Sequence, residues 1–167
     1  MNIKVLASSS SGNCYRISDG YTTLLLECGI SFKKIREGLG FRLSEIDGCL
    51  VTHEHKDHCK AVKDIIRAGI DVYMSAGTKE ALGVDGHRIK AVKARQQFGI
   101  GTLTILPFET EHDAKEPLGY LIYSNVTKDK LLFATDTYYI RYKFKGLTHI
   151  MVECNYASDI LYSNIEK

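Results

Sequence analysis

A short, nearly all-apolar run in this chain empties directly into a cluster of histidines. Gly48-Cys49-Leu50-Val51-Thr52 reads as a strand covered on both faces. His53-Glu54-His55-Lys56-Asp57-His58 follows without a break and holds three of the six histidines. Neutral imidazole and ionised carboxylate are good ligands for zinc and similar divalent cations. In an extended segment alternate residues share a side, so His53 and His55 can grip one ion. Where the chain then turns into a helix, Asp57 and His58 can face a second. A solvated polar loop is the plainer alternative. The position at a strand's C-terminal end, where the sites of α/β folds gather, favours the metal.

The surrounding pattern is mostly strands with helices inserted. Ile3, Val5 and Ala7 alternate with polar residues as a half-buried strand. The small polar turn Ser8 to Asn13 leads to a strand from Cys14 to Ile17, and Asp19-Gly20 signals a hairpin to a third strand over Thr22 to Cys28. Ser31 can cap a helix that carries Ile35 and Leu39 and ends at Gly38 or Gly40. One helix is expected from Cys59 to Ala68, with Ala61, Val62, Ile65 and Ile66 at helical spacing and Gly69 as its stop. Asp71 to Met74 reads as a strand and Thr78 to Leu82 as a short helix. Further strands are expected at 89–92, 102–108, 118–123, 130–134 and 149–153, then a helical start from Ser158 toward Ile165. Pro107 and Pro117 bracket one loop. The coarse expectation is one layered α/β domain.

Composition narrows the class without naming a partner. At 167 residues the chain has room for a single core, and 44% hydrophobic with 25% charged residues excludes general disorder. Lys and Arg total 22 against 20 Asp and Glu, a net charge of +2, so nucleic-acid binding must rest on local patches. The longest clear apolar run, Leu24 to Leu26, is far short of a membrane span, and the N-terminus enters a strand pattern directly. Five widely spaced cysteines without a C-x-x-C pair fit buried thiols in a reducing compartment. Cys59 stands out only through its neighbour His58. The expectation is a cytoplasmic protein with no membrane association.

The H-x-H-x-D-H run resembles the signature of the metallo-β-lactamase fold superfamily, along nearly the whole chain. His112, in Thr110-Glu111-His112-Asp113-Ala114, matches the family's next ligand. Asp136, in Leu132-Phe133-Ala134-Thr135-Asp136-Thr137, matches its bridging aspartate. Leu6 to Asn13 and Thr148 to Asn155 look like the YycJ/WalJ-type subgroup, which is associated with 5′→3′ DNA exonuclease activity. The resemblance implies a four-layer αββα sandwich over residues 1–167, with its C-terminal segment missing. It implies two divalent metal ions, zinc or else manganese. His53, His55 and His112 would hold the first and Asp57 and His58 the second, with Asp136 bridging. Two adjacent cations lower the pKa of a shared water to give hydroxide near neutral pH, and they clamp both oxygens of a displacement at phosphorus. Asp57 is the candidate to orient that nucleophile or take its proton.

Three positions depart from the family pattern. Glu27 stands where an Asp is usual, and Tyr138 where a Gly is common. A terminal His ligand would fall beyond this chain's end. His149 starts the strand that should precede it, and His87 lies in a polar loop, so the second metal is expected to have at most three protein ligands. An incomplete outer helical layer would expose apolar surface and invite a homo-oligomer.

Tyr138 to Lys145 interleaves aromatic and basic residues after Asp136, so Arg141 and Lys143 are candidates to screen phosphates while rings stack bases. An amphipathic segment with Tyr142 and Phe144 turned inward is the structural alternative. Ser10 and Asn13 are candidates to donate hydrogen bonds to a phosphate, against a simple polar turn. Arg88, Lys90, Lys93 and Arg95 read as a solvated face. The leading expectation is a metal-dependent phosphodiesterase, a DNA exonuclease. A thioester, lactone or lactam hydrolase of the same fold, or a non-catalytic metal-binding remnant, are the alternatives.

Overall fold

The structure, a computed structural model, describes residues 1–153. Cys154 and the helix expected from Ser158 lie outside the described residues. Two twisted sheets face each other. The first takes its strands in sequence order: β1 (Asn2–Ala7), β2 (Cys14–Ser18), β3 (Thr23–Leu26), β4 (Gly48–Leu50), β5 (Val72–Met74) and β6 (Ile89–Ala91). The β1–β2–β3 meander is antiparallel, and β3 to β6 run parallel. Parallel neighbours need crossovers, which α1 (Phe32–Gly38), α2 (Lys56–Cys59), α3 (Val62–Arg67) and α4 (Ala76–Leu82) provide. The second sheet is ordered β11 (His149–Val152), β10 (Lys130–Ala134), β9 (Leu118–Ser124), β8 (Leu103–Glu109) and β7 (Phe98–Ile100).

The side-chain period of two builds both cores from one strand. Leu24 and Leu26 of β3 point between the sheets, onto Ile105, Tyr120, Ile122, Leu131 and Phe133 of the second sheet. Leu25 points outward, with Cys49 and Val51, against Ile35, Val62 and Ile65 of the helices. The facing sheets with helices outside the first are three layers of the four-layer αββα sandwich that the resemblance implies. Outside the second sheet, the described residues place an irregular segment: Ile140, Tyr142, Phe144 and Leu147 cover Phe108, Leu132 and Ala134. Among the described residues no helix is long and apolar enough to cross a membrane.

Four local expectations change. Val5 is exposed, because β1 is an edge strand whose register shifts between Val5 and Ala7. The short β7, with Gly99 at its centre, escaped the pattern, yet Phe98 stacks on Tyr73 of β5 at 5.2 Å and closes one edge of the sandwich. Pro107 lies inside β8, past the last β7 partner, where its missing N–H leaves no gap in that ladder. The helix expected over 59–68 is broken after Cys59. Its would-be acceptors, the carbonyls of Asp57 and His58, instead take the N–H groups of Asn13 (2.7 Å) and Cys28 (2.8 Å), and Ala61 N–H donates to Cys28 O.

Two glycines permit that approach. A Cβ on Gly29 would lie 1.5 Å from the Asp57 carbonyl oxygen, and Gly12 has φ +151° with its position 2.5 Å from the Gly29 oxygen. Nothing larger fits between these loops. Gly29→Ala is therefore expected to cost about 3 kcal/mol or more, the range of severe backbone clashes. Chemical denaturation of wild type and variant checks this.

At the opposite end, Asp19 ties the sheets together. It accepts from Thr102 Oγ1 (2.6 Å), Ser124 Oγ (2.7 Å) and the N–H groups of Thr22 and Tyr21. Burial alone would raise its carboxyl, but these hydrogen bonds outweigh burial and lower it to about 2 from 3.8. A depressed folded-state pKa gives stability that is present above the unfolded value and lost as pH falls through the folded one. Asp19→Ala is expected to lose about 2 kcal/mol at neutral pH. The gap to wild type should close as pH falls from about 4 toward 2, as acid–denaturant titration would record.

Candidate metal centre

The site lies at one end of the sandwich, where five segments leave their strands. β3 delivers Glu27, β4 delivers Thr52 to His58, β8 delivers His112, β10 delivers Thr135 and Asp136, and the β1–β2 loop delivers Asn13. Glu27 (φ +61°) and Asp136 (φ +46°) both have left-handed backbones, which turn each carboxylate sharply out of strand direction. Such conformations in non-glycine residues are strained and concentrate at functional sites.

Thr52 sets the orientation of the first histidine. Its hydroxyl donates to Glu27 Oε1 at 2.5 Å and lies 2.9 Å from His53 Nδ1. With its one proton committed to Glu27, the hydroxyl accepts from His53 Nδ1–H, which leaves a lone pair on Nε2. That atom is fully buried and has no hydrogen-bond partner among the described residues. An orphaned buried acceptor of this kind costs about 1–3 kcal/mol. Burial, then the neighbouring His58, His112 and His55, lowers the His53 imidazole to about 2, so it stays neutral.

Around that lone pair the donors converge. The His53 ring is 4.7 Å from those of His55 and His112, and His112 Nε2 lies 3.1 Å from His55 Nδ1. Asp136 Oδ2 stands 3.4 Å from His53 Nε2 and 3.8 Å from His112 Nε2. The same oxygen is 2.9 Å from His58 Nε2, which is also 3.3 Å from Asp57 Oδ2. Two donor sets result, each with its ligand atoms within 4.8 Å of one another: His53, His55, His112 and Asp136, and Asp57, His58 and Asp136. Asp136 belongs to both. Imidazole and carboxylate are the donors a divalent cation takes, and His53 Nε2 has the free lone pair it needs, so the residues fit a metal.

Glu27 supports the second set. It is fully buried and faces His58 Nδ1 at 3.4 Å, an ion-pair contact on the ring nitrogen opposite the donor atom. Carboxylates in that position fix a ligating imidazole and raise its basicity. The longer side chain at position 27 thus keeps contact with His58 while reaching Thr52. Burial pulls His58 down, but Glu27, Asp136 and Asp57 outweigh it and raise the imidazole to about 9. Burial and the Glu153 carboxyl, against the pull of His58, raise Asp136 to about 7. Glu153 Oε2 also accepts from Asp136 N–H at 3.1 Å.

The remaining predicted residues divide by distance from this cluster. Asn13 is buried, with Nδ2 3.5 Å from His58 Nε2. Ser10 is exposed and lines, with Asn13, Tyr15, Phe133, Thr135 and Glu153, an adjoining cavity of about 450 Å³. Arg141 and Lys143 are exposed, and Arg141 pairs with Glu111. Cys59 is buried and donates to Glu54 O, and burial raises its thiol to about 12. His87 is exposed in its loop and His149 heads β11, neither belonging to either donor set. Sequence reasoning missed Gly29, the Thr52 relay, and Tyr120, whose hydroxyl reaches across to Val51 O at 2.7 Å.

Comparison with known proteins identifies the family. The model of the beta-lactamase superfamily domain matches residues 22–163. An exodeoxyribonuclease YycJ of Bacillus anthracis is 30% identical, over 88% of this chain and 58% of its own length. An exodeoxyribonuclease WalJ of Streptococcus pneumoniae is also 30% identical, over 95% of this chain and 64% of its own. The chain therefore spans about three fifths of the length of these relatives. Among solved structures, a metallo-beta-lactamase with a HARLDQ motif from Cronobacter sakazakii aligns with TM-score 0.69 at 16% identity, over 84% of this chain and 62% of that one. The chain belongs to the metallo-β-lactamase superfamily.

Because His58 holds its proton up to about pH 9 in the metal-free site, a cation arriving at Nε2 must displace it. Metal binding at neutral pH is expected to release protons, and affinity should rise with pH until about 9. Calorimetric titration with zinc in buffers of differing ionisation enthalpy measures the number released. Glu27→Gln keeps the side chain's size but removes its charge, and should weaken metal affinity by about 10–100-fold.

Proposed function

We propose that this chain is a metal-dependent hydrolase that cleaves phosphodiester bonds in DNA with two divalent cations. The observation that carries the reading is the pair of donor sets sharing the Asp136 carboxylate. The 30% identity to two exodeoxyribonucleases supports the substrate class. In this reading His53, His55 and His112 hold one ion, Asp57 and His58 the other, and Asp136 lies between them. Three imidazoles and one carboxylate suit zinc, whereas the carboxylate-richer second set also suits manganese. Bound cations supply Lewis-acid activation of water and neutralise charge on the phosphate.

The chain's own groups do the rest. Thr52 and Glu27 hold His53 and His58 in the orientations that point Nε2 into the site. Asp57, with its side chain 32% exposed against 20% for Asp136, would accept the proton of the attacking water. Asn13 Nδ2 donates to a phosphate oxygen, and Ser10 lies at the rim of the same opening.

A second reading has its own observation. The adjoining cavity is lined by serine, threonine, asparagine, aromatic and aliphatic side chains and the Glu153 carboxyl, with no lysine or arginine among the described residues to attract a polyanion, which favours an uncharged thioester or lactone group. One experiment separates the two. The chain is purified without chelator or His-tag, its metal is counted by elemental analysis, and it is offered 5′-phosphorylated DNA and an acyl thioester. Close to two ions per chain with DNA turnover is expected, and Asp57→Asn should lower kcat by about a hundredfold or more. Thioester turnover without DNA cleavage would sink the phosphodiesterase reading.

A further inference from the structure

Immediately past Asp136 the chain presents two tyrosines to solvent, Tyr138 at 83% and Tyr139 at 65% exposure. A single exposed ring requires no explanation. Here two follow one another directly after Asp136, the first beside the His112 ring, and the backbone beneath them is held. Tyr138 N–H donates to Glu111 O at 3.0 Å. Thr137 Oγ1 accepts from Glu111 N–H at 3.1 Å and donates to Tyr139 O at 2.9 Å. These bonds fasten the segment to the loop that carries His112. The Tyr138 ring consequently stands 6.4 Å from the His112 ring.

The residues that follow extend the pattern. Tyr142 and Phe144 turn inward onto Phe108, with ring centroids at 5.9 and 5.0 Å. Their alternation leaves Arg141, paired with Glu111, and Lys143 and Lys145 on the solvent side. From the metal centre outward, the surface therefore offers a cluster fit for cations, two exposed aromatic faces, and then a row of basic side chains. Aromatic platforms beside a cationic track are how single-stranded nucleic acid is bound without base-specific contacts. A base still stacked within a duplex has no free face to offer. We infer that Tyr138 and Tyr139 form a base-stacking platform that seats unpaired nucleobases of a DNA strand whose neighbouring phosphate enters the metal centre, with Arg141 and Lys143 on the backbone beyond. This inference rests on the phosphodiesterase reading and adds to it a preference for single-stranded or frayed ends.

The test pairs changes on both partners, in the metal-loaded full chain. Tyr138→Ala is expected to raise KM for a single-stranded oligodeoxynucleotide about tenfold, the scale of one base–aromatic stack, with a much smaller change in kcat. Tyr138→Phe, which keeps the ring face, should restore KM. On an oligonucleotide made abasic at its terminal positions, wild type and Tyr138→Ala should converge. An unchanged KM, or an equal loss on abasic and base-bearing strands, overturns the platform. Should the wild-type chain cleave no DNA, the phosphodiesterase reading fails by itself. Fluorescence anisotropy of a labelled single strand then decides the platform separately. Affinity about tenfold weaker in Tyr138→Ala supports it, and unchanged affinity overturns it.

Discussion

Two backbone hydrogen bonds, from Asn13 and Cys28 to the carbonyls of Asp57 and His58, hold the site in register. Each takes a carbonyl that a continuous helix would have used for itself, so the loops of the β-meander are spliced into the helix that carries the ligands. The splice fixes three things together. It places Asn13 beside His58, it brings Glu27 under the same ring, and it ends α2 after one turn so that Asp57 and His58 stay at the sheet end. Gly29 makes the contact close enough, and its replacement would push the segment that carries Asp57 and His58 away from Glu27 and Asn13. Buried backbone groups left without partners cost about 1–3 kcal/mol each, so the splice holds these segments together or not at all.

The two donor sets differ in electrostatic character, and the asymmetry follows from what each histidine faces. His53 is surrounded by other imidazoles and burial, which keep it neutral with Nε2 open. His58 is surrounded by Glu27, Asp57 and Asp136, which hold a proton on it when no cation is present. In the absence of metal the His58 proton stands in for a cation among three carboxylates. His53 therefore offers its lone pair directly, while His58 must exchange a proton.

Most of this was legible in the sequence because its carriers are local. His53, His55, Asp57 and His58 lie within one short segment, and their strand-then-helix placement follows from the apolar run before them. His112 and Asp136 required the family resemblance, since nothing in their own neighbourhoods ties them to residue 53. The splice was not legible. Cys59 to Ala68 has a good helical period, and only a tertiary partner, the Cys28 backbone, removes the bonds that would have joined it into one helix. The role of Glu27 was hidden for a related reason. Its reach to both Thr52 and His58 depends on a left-handed φ that no sequence pattern at that position announces. β7 was missed because a three-residue strand centred on glycine gains its place from the Phe98–Tyr73 stack.

The two ends of the sandwich do opposite work. At the site end, strained φ values at Glu27 and Asp136 cost about 1–3 kcal/mol each, and an orphaned imidazole nitrogen adds a further burden. A domain of this size has only about 5–15 kcal/mol of net stability to set against such terms. At the other end, Asp19 joins the β2–β3 turn to Thr102 and Ser124 of the opposite sheet, with every hydrogen bond directed at an ionised carboxylate. Between the two ends, Leu24, Leu26, Tyr120, Ile122 and Phe133 exclude water. Because the far end and the core clamp the sheets, the near end can hold five converging segments at spacings their own interactions would not sustain. Binding of a cation would then give His53 Nε2 the partner it lacks among the described residues, on an already folded frame.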